Sequence, residues 1–388
     1  MKLFSSLSRK QLQGKTILLR VDLNVLDMDM RDSLRVLRAI ETIQYIRSRG
    51  ARVVVLSHRG RPRSIYNLQS PISNKQKLGE NKKLSLKPFV KIFERALREP
   101  VIFISDITQG SAVISKSNAQ IFLCENLRFW KGEEQNSIAF AGRLARMGNI
   151  YVNDAFAVSH RAHASVDVIA RRVSSYAGPA LAREIRALSG IQKKSGNHPF
   201  VAVVGGAKAS DKIELLHWFM DRADSILTGG GVANTFLAWC GYEVGLSVRD
   251  PHVSIARDFV SCQALHIPRD TVVFKNKILD IGEKTIRFYT QEISRARRAV
   301  WNGPVGDTDL PRFRNGSRAV WRSLLKQARL HKHFYAVIGG GETTAFVLRE
   351  MAKNPRVPLP DNIFLSAGGG AMLQFLSGET LPGIQALR

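Results

Sequence analysis

The stretch Phe200–Leu216, FVAVVGGAKASDKIELL, decides how the rest of the chain reads. An apolar run of strand character meets the pair Gly205-Gly206, and Lys208 and Lys212 follow. Four residues apart, the two lysines are expected on one face of a helix that begins there. A helix N-terminus already carries partial positive charge, so two ammonium groups beside it are unfavourable unless an anion binds. The other reading is a charged first turn that simply faces water. The spacing does not fit the phosphate loop G-x-x-x-x-G-K-[ST].

The same pattern of apolar run and helix extends in both directions. Before it come TILLRVDLNV, ARVVVLSH, PVIFIS, QIFLCEN and IYVNDAF; after it come SILTGGG, TVVF, RAVWNGP, YAVIGGG and NIFLSAGGG. Helical patterns such as SLRVLRAIETIQYIRSRG separate them. Continuous apolar runs parted by helices predict parallel sheets covered on both faces. Two such series predict two α/β domains, each a Rossmann-like parallel sheet flanked by helices. A junction is expected at PALAREIRALSGIQKKSGNHP, a helix followed by a turn-rich break. Residues 63–86 are polar, basic and without clear period, and are expected to form a long surface loop.

The chain has 388 residues, 44% of them hydrophobic, enough for sizeable cores. It contains no run of 18 apolar residues, so no membrane span is expected, and MKLFSSLSRKQLQGK lacks the apolar centre of a signal peptide. Cys124, Cys240 and Cys262 are too few and too scattered for a disulfide framework or a cysteine metal site. A cytoplasmic protein is expected. The charge is unusual: 58 Lys and Arg against 32 Asp and Glu, a formal +26. Such a field attracts nucleic acid, anionic membrane or phosphorylated metabolites without choosing among them. None of the zinc-finger, RNP-like or basic-zipper patterns is present. Dense basic patches at RDSLRVLRAIETIQYIRSRG and RFRNGSRAVWRSLLKQARLHKH read, on helices, mostly as solvated faces.

Glycine clusters follow the expected strands of the second half: Gly205-Gly206, Gly229–Gly231, Gly303, Gly339–Gly341 and Gly368–Gly370. Ligands of open α/β sheets bind outside the carboxyl ends of the strands. Glycine there lets backbone approach a ligand and offers N–H donors to phosphate. One pair is weak, since tight turns need glycine anyway; five clusters in one half point to a nucleotide site. In the first half, Asp22, Asn24, His58, Arg61, Arg128 and Arg161 stand just past strand ends, and Arg35 opens the first helix. Any one of these arginines is more often a surface residue, and a lone histidine more often structural. Together they describe an anion pocket, for which arginine's planar fork of donors is suited.

At these residues the sequence resembles the phosphoglycerate kinase family. RVDLNV, SHRGRP, LCENLRFWKGEE, YVNDAFAVSHRAHAS, VVGGAKASDKI, GGGVANTFL, LDIGEKTI, VWNGPVG, IGGGETTA and GGGAMLQFL carry the likeness, in order. The resemblance implies a triose-phosphate domain over 1–178, on which a tail of about 376–388 packs back. It implies a hinge helix and linker over 179–198 and a nucleotide domain over 199–375. It implies a monomer that transfers phosphoryl between 1,3-bisphosphoglycerate and ADP, giving 3-phosphoglycerate and ATP, with Mg2+, by domain closure. It places Asp22, Asn24, Arg35, His58, Arg61, Arg128 and Arg161 on the triose. Gly206, Lys208, Lys212, Gly230, Gly231, Asn302, Pro304, Gly306, Asp309, Gly340, Gly341, Glu342 and Thr343 fall at the nucleotide. Arg35 and Lys208 would neutralise the transferring group, and Glu342 would meet the metal.

The chain also departs from the family. Glu342 stands where aspartate is usual, Asp309 where a glutamate usually meets the ribose, and Ala157-Val158 where Gly-Thr is usual. Ala367 replaces a threonine and Ile278 a glycine, GPVGDTD replaces GPMGVFE, and the stretch between DTVVF and LDIG is short. The alternative expectation is a weak or inactive kinase-like scaffold that binds nucleic acid through its basic surface.

Overall fold

The computed structural model describes residues 1–25, 33–62, 82–193, 198–251, 259 and 261–387, so most of the basic stretch 63–86 lies outside the described residues. The chain divides into two compact units, Met1–Ile185 joined by the stretch from Thr380, and Arg186–Glu379. The division falls inside the helix Pro179–Gln192. The returning tail is tied to the first unit by Gly383 N–H, which donates to Ser159 O at 2.8 Å, and by Asn153 Nδ2, which donates to Gly383 O at 3.1 Å.

The first unit holds six strands: β1 (Thr16–Arg20), β2 (Arg52–Leu56), β3 (Val101–Ile104), β4 (Ile121–Cys124), β5 (Ile150–Asn153) and β6 (Ser174–Ala177). They pair in parallel in the order β3-β4-β2-β1-β5-β6. TILLR and RVVVL are buried almost throughout, as strands covered on both faces must be. The helix Leu34–Ser48 begins at Ser33, whose hydroxyl accepts the Arg35 N–H, and buries Val36, Ala39, Ile43 and Ile46 against the sheet's core. The winding reverses between β1 and β5, which makes a crevice at their carboxyl ends. Register aligns Arg20 with Leu56 and with Asn153, so the segments that follow these three strands leave along one edge.

The second unit repeats the plan with β7 (Phe200–Val204), β8 (Ser225–Thr228), β9 (Leu265–His266), β12 (Arg298–Asn302), β13 (Tyr335–Gly339) and β14 (Ile363–Leu365), ordered β14-β13-β12-β7-β8-β9. Its reversal falls between β7 and β12, where Val204 aligns with Asn302 and Asn302 with Gly339. The glycine clusters after β7, β8, β12 and β13 therefore emerge together.

Two sequence expectations are corrected, and two strands are added. TVVF does not extend the parallel sheet. It is β10 (Thr271–Phe274), paired antiparallel with β11 (Lys277–Ile281) through Lys275 and Asn276. Both turn residues have φ in the left-handed region, 49° and 58°, the backbone of a tight two-residue hairpin. The strands β6 and β9 carry no long apolar run and were not anticipated. Lys208 and Lys212 do not share a helix. Gly206, at φ 95°, turns the chain, a 3-10 turn spans Ser210–Lys212, and the α-helix starts only at Ile213. That start places Leu215, Leu216, Trp218 and Phe219 in the core.

Candidate active site

In the first unit, the loops that follow β1, β2 and β4 are cross-tied. Asn24, past β1, accepts the Gly60 N–H at 2.8 Å through Oδ1. Arg128, past β4, donates to Gly60 O at 2.6 Å. Arg35 reaches back from its helix to Asp22 Oδ2 at 3.1 Å and donates to Asn24 O at 2.8 Å. Arg161, past β5, donates through Nε to His160 Nε2 at 3.1 Å. Arg61 is exposed directly after Gly60.

The electrostatics of this edge are those of a positively charged pocket that favours anions. Arg128 is 2% exposed, yet among the described residues its Nη2 has no hydrogen-bond partner, and its Nε lies 3.3 Å from Glu134 without hydrogen-bond geometry. Burial, then Arg161, lowers its pKa to about 10, so it stays charged at neutral pH. His58 is held well below the usual imidazole range by burial and then by Arg20, Arg128 and Arg161. Burial followed by Arg161 brings His160 to about 4, and burial followed by Arg128 brings His163 to about 3. Near pH 7 the positive charge here belongs to arginine alone, and the histidines act as neutral hydrogen-bonding groups.

Sequence reading missed what supports this pocket. Arg20, the last residue of β1, is fully buried. It donates to Ser165 Oγ at 2.9 Å, to Val21 O, and to His58 Nδ1 at 3.2 Å. Ser165 in turn donates to both oxygens of the fully buried Glu133, at 2.6 and 3.0 Å. The available signal was a charged residue closing an apolar run in TILLRVD, since a strand buried on both faces tolerates a charge only where partners await it.

In the second unit, backbones meet where side chains would not fit. A Cβ on Gly303, at φ 91°, would lie 2.0 Å from Gly205 O, and one on Gly231 would lie 2.3 Å from Ala207 O. Gly206 N–H donates to Pro304 O at 2.9 Å, and Gly230 N–H to Val305 O at 3.0 Å. Thr343 Oγ1 accepts the Gly303 N–H at 2.9 Å. The half-buried Lys212 donates to Asn302 Oδ1, while Asn302 Nδ2 is buried without a partner among the described residues. Burial lowers the Lys212 pKa, against the pull of Asp211 and of Glu342. The helix Gly341–Ala352 starts here, with Gly340 at φ 93° and Glu342 exposed in its first turn. Gly306 packs on Asp280, where a Cβ would lie 2.1 Å from the carboxylate. Gly206, Gly230, Gly231, Lys212, Asn302, Pro304, Gly340, Gly341, Glu342 and Thr343 thus border one cradle of glycine turns and helix starts. Lys208 and Asp309 are exposed, and among the described residues no side-chain hydrogen bond or ion pair joins either to it.

Two doubly wound parallel sheets, each with its polar residues at the strand ends beside the reversal, define a two-unit α/β protein of the kind that binds ligands at those ends. The family model for phosphoglycerate kinase matches residues 7–379. The phosphoglycerate kinase of Bartonella tribocorum is 37% identical, with 99% of each chain covered, and that of Dictyoglomus turgidum is 33% identical over 100% of this chain and 99% of its own. The solved structure of phosphoglycerate kinase from Coxiella burnetii matches with a TM-score of 0.74 at 32% identity, covering 99% of this chain and 98% of that one. The Pyrococcus horikoshii enzyme matches at 0.78 and 26%, covering 100% and 98%. The chain belongs to the phosphoglycerate kinase family and is a phosphotransferase.

Proposed function

We propose that the chain moves a phosphoryl group reversibly between 1,3-bisphosphoglycerate and ADP, giving 3-phosphoglycerate and ATP. The observation that carries this reading is Arg128, a buried guanidinium whose Nη2 lacks an acceptor among the described residues and lies amid neutral histidines. A buried donor left open favours an anionic ligand. In the ATP-forming direction an oxygen of the ADP β-phosphate bonds to phosphorus as the bond from phosphorus to the carboxyl oxygen breaks. The bonding pair stays on the departing carboxylate. Neither oxygen needs deprotonation at pH 7, so no general base is called for. The barrier is charge repulsion and alignment.

The triose is assigned to Asp22, Asn24, Arg35, His58, Arg61, Arg128 and Arg161. Asp22 orients Arg35. The nucleotide is assigned to the glycine cradle with Lys208, Lys212, Asn302, Pro304, Asp309, Glu342 and Thr343. Arg35 and Lys208 neutralise the transferring group. The helix Pro179–Gln192 is proposed as the hinge on which the two units bring their ligands together.

Among the described residues no cluster of three or more His, Cys, Asp or Glu could hold a metal alone. The single carboxylate Glu342 fits Mg2+, which is commonly held by one or two carboxylates plus substrate phosphates. Bound there, Mg2+ would neutralise phosphate charge.

The test is a coupled assay of 3-phosphoglycerate phosphorylation by ATP. Turnover is expected in the wild type, with a loss of at least about a hundredfold in Lys208→Ala and in Arg35→Ala. Undiminished turnover in both variants removes the mechanism.

A further inference from the structure

The two basic patches that look alike in sequence part company in the structure. Those of the helix Leu34–Ser48 are internally paired: Arg35 with Asp22, Arg38 with Glu184, and Arg47 with Glu99 at 3.0 Å. The helix Asn315–Leu330, NGSRAVWRSLLKQARL, contains no acidic residue. Its Arg318 is bound to Glu350 at 3.2 Å. Its Arg322, Lys326 and Arg329 are exposed, and their side chains make no ion pair or hydrogen bond among the described residues. Spaced four and three apart, they form one stripe about 10 Å long.

The neighbouring helix Glu283–Arg295 extends this surface. Gln327 Nε2 donates to Ala296 O at 2.9 Å, which sets the exposed Arg295 and Arg297 beside the Lys326–Arg329 end. Two carboxylates border the group. Glu292 already accepts from Ser225 Oγ and lies 3.8 Å from Arg295. Asp361 adjoins Asn362, which donates to Ala328 O at 2.9 Å. Each helix C-terminus adds about half a negative charge. That favours cations at these ends but offsets about one of them, not the group.

We infer that this two-helix face binds duplex nucleic acid through its phosphate backbone, without reading sequence. A duplex carries one charge per about 1.7 Å of axis, so a 10 Å cationic stripe faces several phosphates at once. Single strands are held by stacking on exposed aromatics. On these helices Phe288 is covered by Arg269 at 3.9 Å, and the one exposed large apolar residue is Leu330. A single leucine gives a membrane little to hold, since interfacial helices bury a whole apolar face.

The experiment is fluorescence anisotropy of a labelled DNA duplex of arbitrary sequence, titrated with the full chain at several salt concentrations. The triple variants Arg322→Gln/Lys326→Gln/Arg329→Gln and Arg322→Glu/Lys326→Glu/Arg329→Glu are titrated beside it. The wild type is expected to bind with log K falling linearly with log salt. The glutamine variant should lose about three contacts' worth of that slope, near 0.9 each. The glutamate variant should bind at least tenfold more weakly, and both should keep wild-type phosphoryl transfer, which reports folding. If the glutamate variant loses turnover, the glutamine variant alone decides. Unchanged affinity and slope in a variant of full activity would overturn the inference. So would tighter binding to a single strand, or to phosphatidylserine vesicles, than to the duplex.

Discussion

Arg20 Nη2 and His58 Nδ1 lie 3.2 Å apart in the interior of the first unit. A guanidinium only donates, so His58 Nδ1 is the acceptor and the ring proton sits on Nε2. Burial and the surrounding arginines keep that ring uncharged.

His58 should therefore remain the neutral Nε2–H tautomer as pH falls through the ordinary imidazole value of about 6.5, read from the nitrogen shifts of a labelled sample. Arg20→Met should leave Glu133 buried without its counter-charge. That loss should destabilise the fold by about 3–5 kcal/mol in urea unfolding. A fully stable variant would contradict the network.

Two glycines of the second unit should behave oppositely. Gly303→Ala forces a Cβ against Gly205 O at a left-handed φ, and should cost about 2–4 kcal/mol with weakened ADP binding. Gly341→Ala meets nothing within 4 Å among the described residues and should change stability by no more than about 0.5 kcal/mol. Urea midpoints of the two variants check the contrast.

Asp280 accepts the N–H groups of Gly316 and Ile281, each at 2.9 Å, and burial raises its pKa to about 6 despite them. A carboxyl raised above its unfolded value, about 3.9, contributes stability that is complete below pH 4 and is lost as pH rises through 6. The stability difference between wild type and Asp280→Asn should therefore shrink from pH 4 to pH 7. Thermal melts across that range measure it, and a difference that grows with pH would refute the assignment.

The metal reading of Glu342 predicts that Glu342→Gln raises the Mg2+ concentration for half-maximal turnover by about tenfold or more. Glu342→Asp should keep Mg2+ dependence near the wild type. An unchanged Mg2+ profile in the glutamine variant would move the metal away from this residue.

His160 and His163 are also held low, so acid should weaken the first unit. Their folded pKa values lie below the unfolded 6.5, which makes unfolding take up protons as pH falls. Their contribution is complete above about 6.5 and is lost progressively toward pH 4 and below. The variant His163→Gln should flatten the acid limb of the melting-temperature profile.

The candidate residues at strand ends were legible because local chemistry marks them: glycine where backbone turns back, arginine or histidine where an apolar run stops. Asp22, Asn24, His58 and Arg128 all stand in that position, and their loops meet at Gly60. Lys208 and Lys212 were misplaced on a shared helix because spacing alone cannot see Gly206 turn the chain and delay the helix to Ile213. TVVF was misread because a strand's partner is not a local property. Only the turn at Lys275–Asn276 sends it antiparallel onto β11.

The sequence by itself determined the class of fold, since runs such as RVVVL and FVAVV can be buried on both faces only in a covered parallel sheet. It also determined, through its glycines and arginines, which edge of each sheet is chemically distinct. Tertiary structure alone decided which charges are paired. Arg38 finds Glu184 from 146 residues away, and Arg20 and Glu133 meet through Ser165, whereas Arg322, Lys326 and Arg329 find no partner among the described residues. A charge in sequence has no dielectric and no neighbours; burial and long-range contact supply both, and they turn one basic patch into internal bracing and leave the other facing solvent.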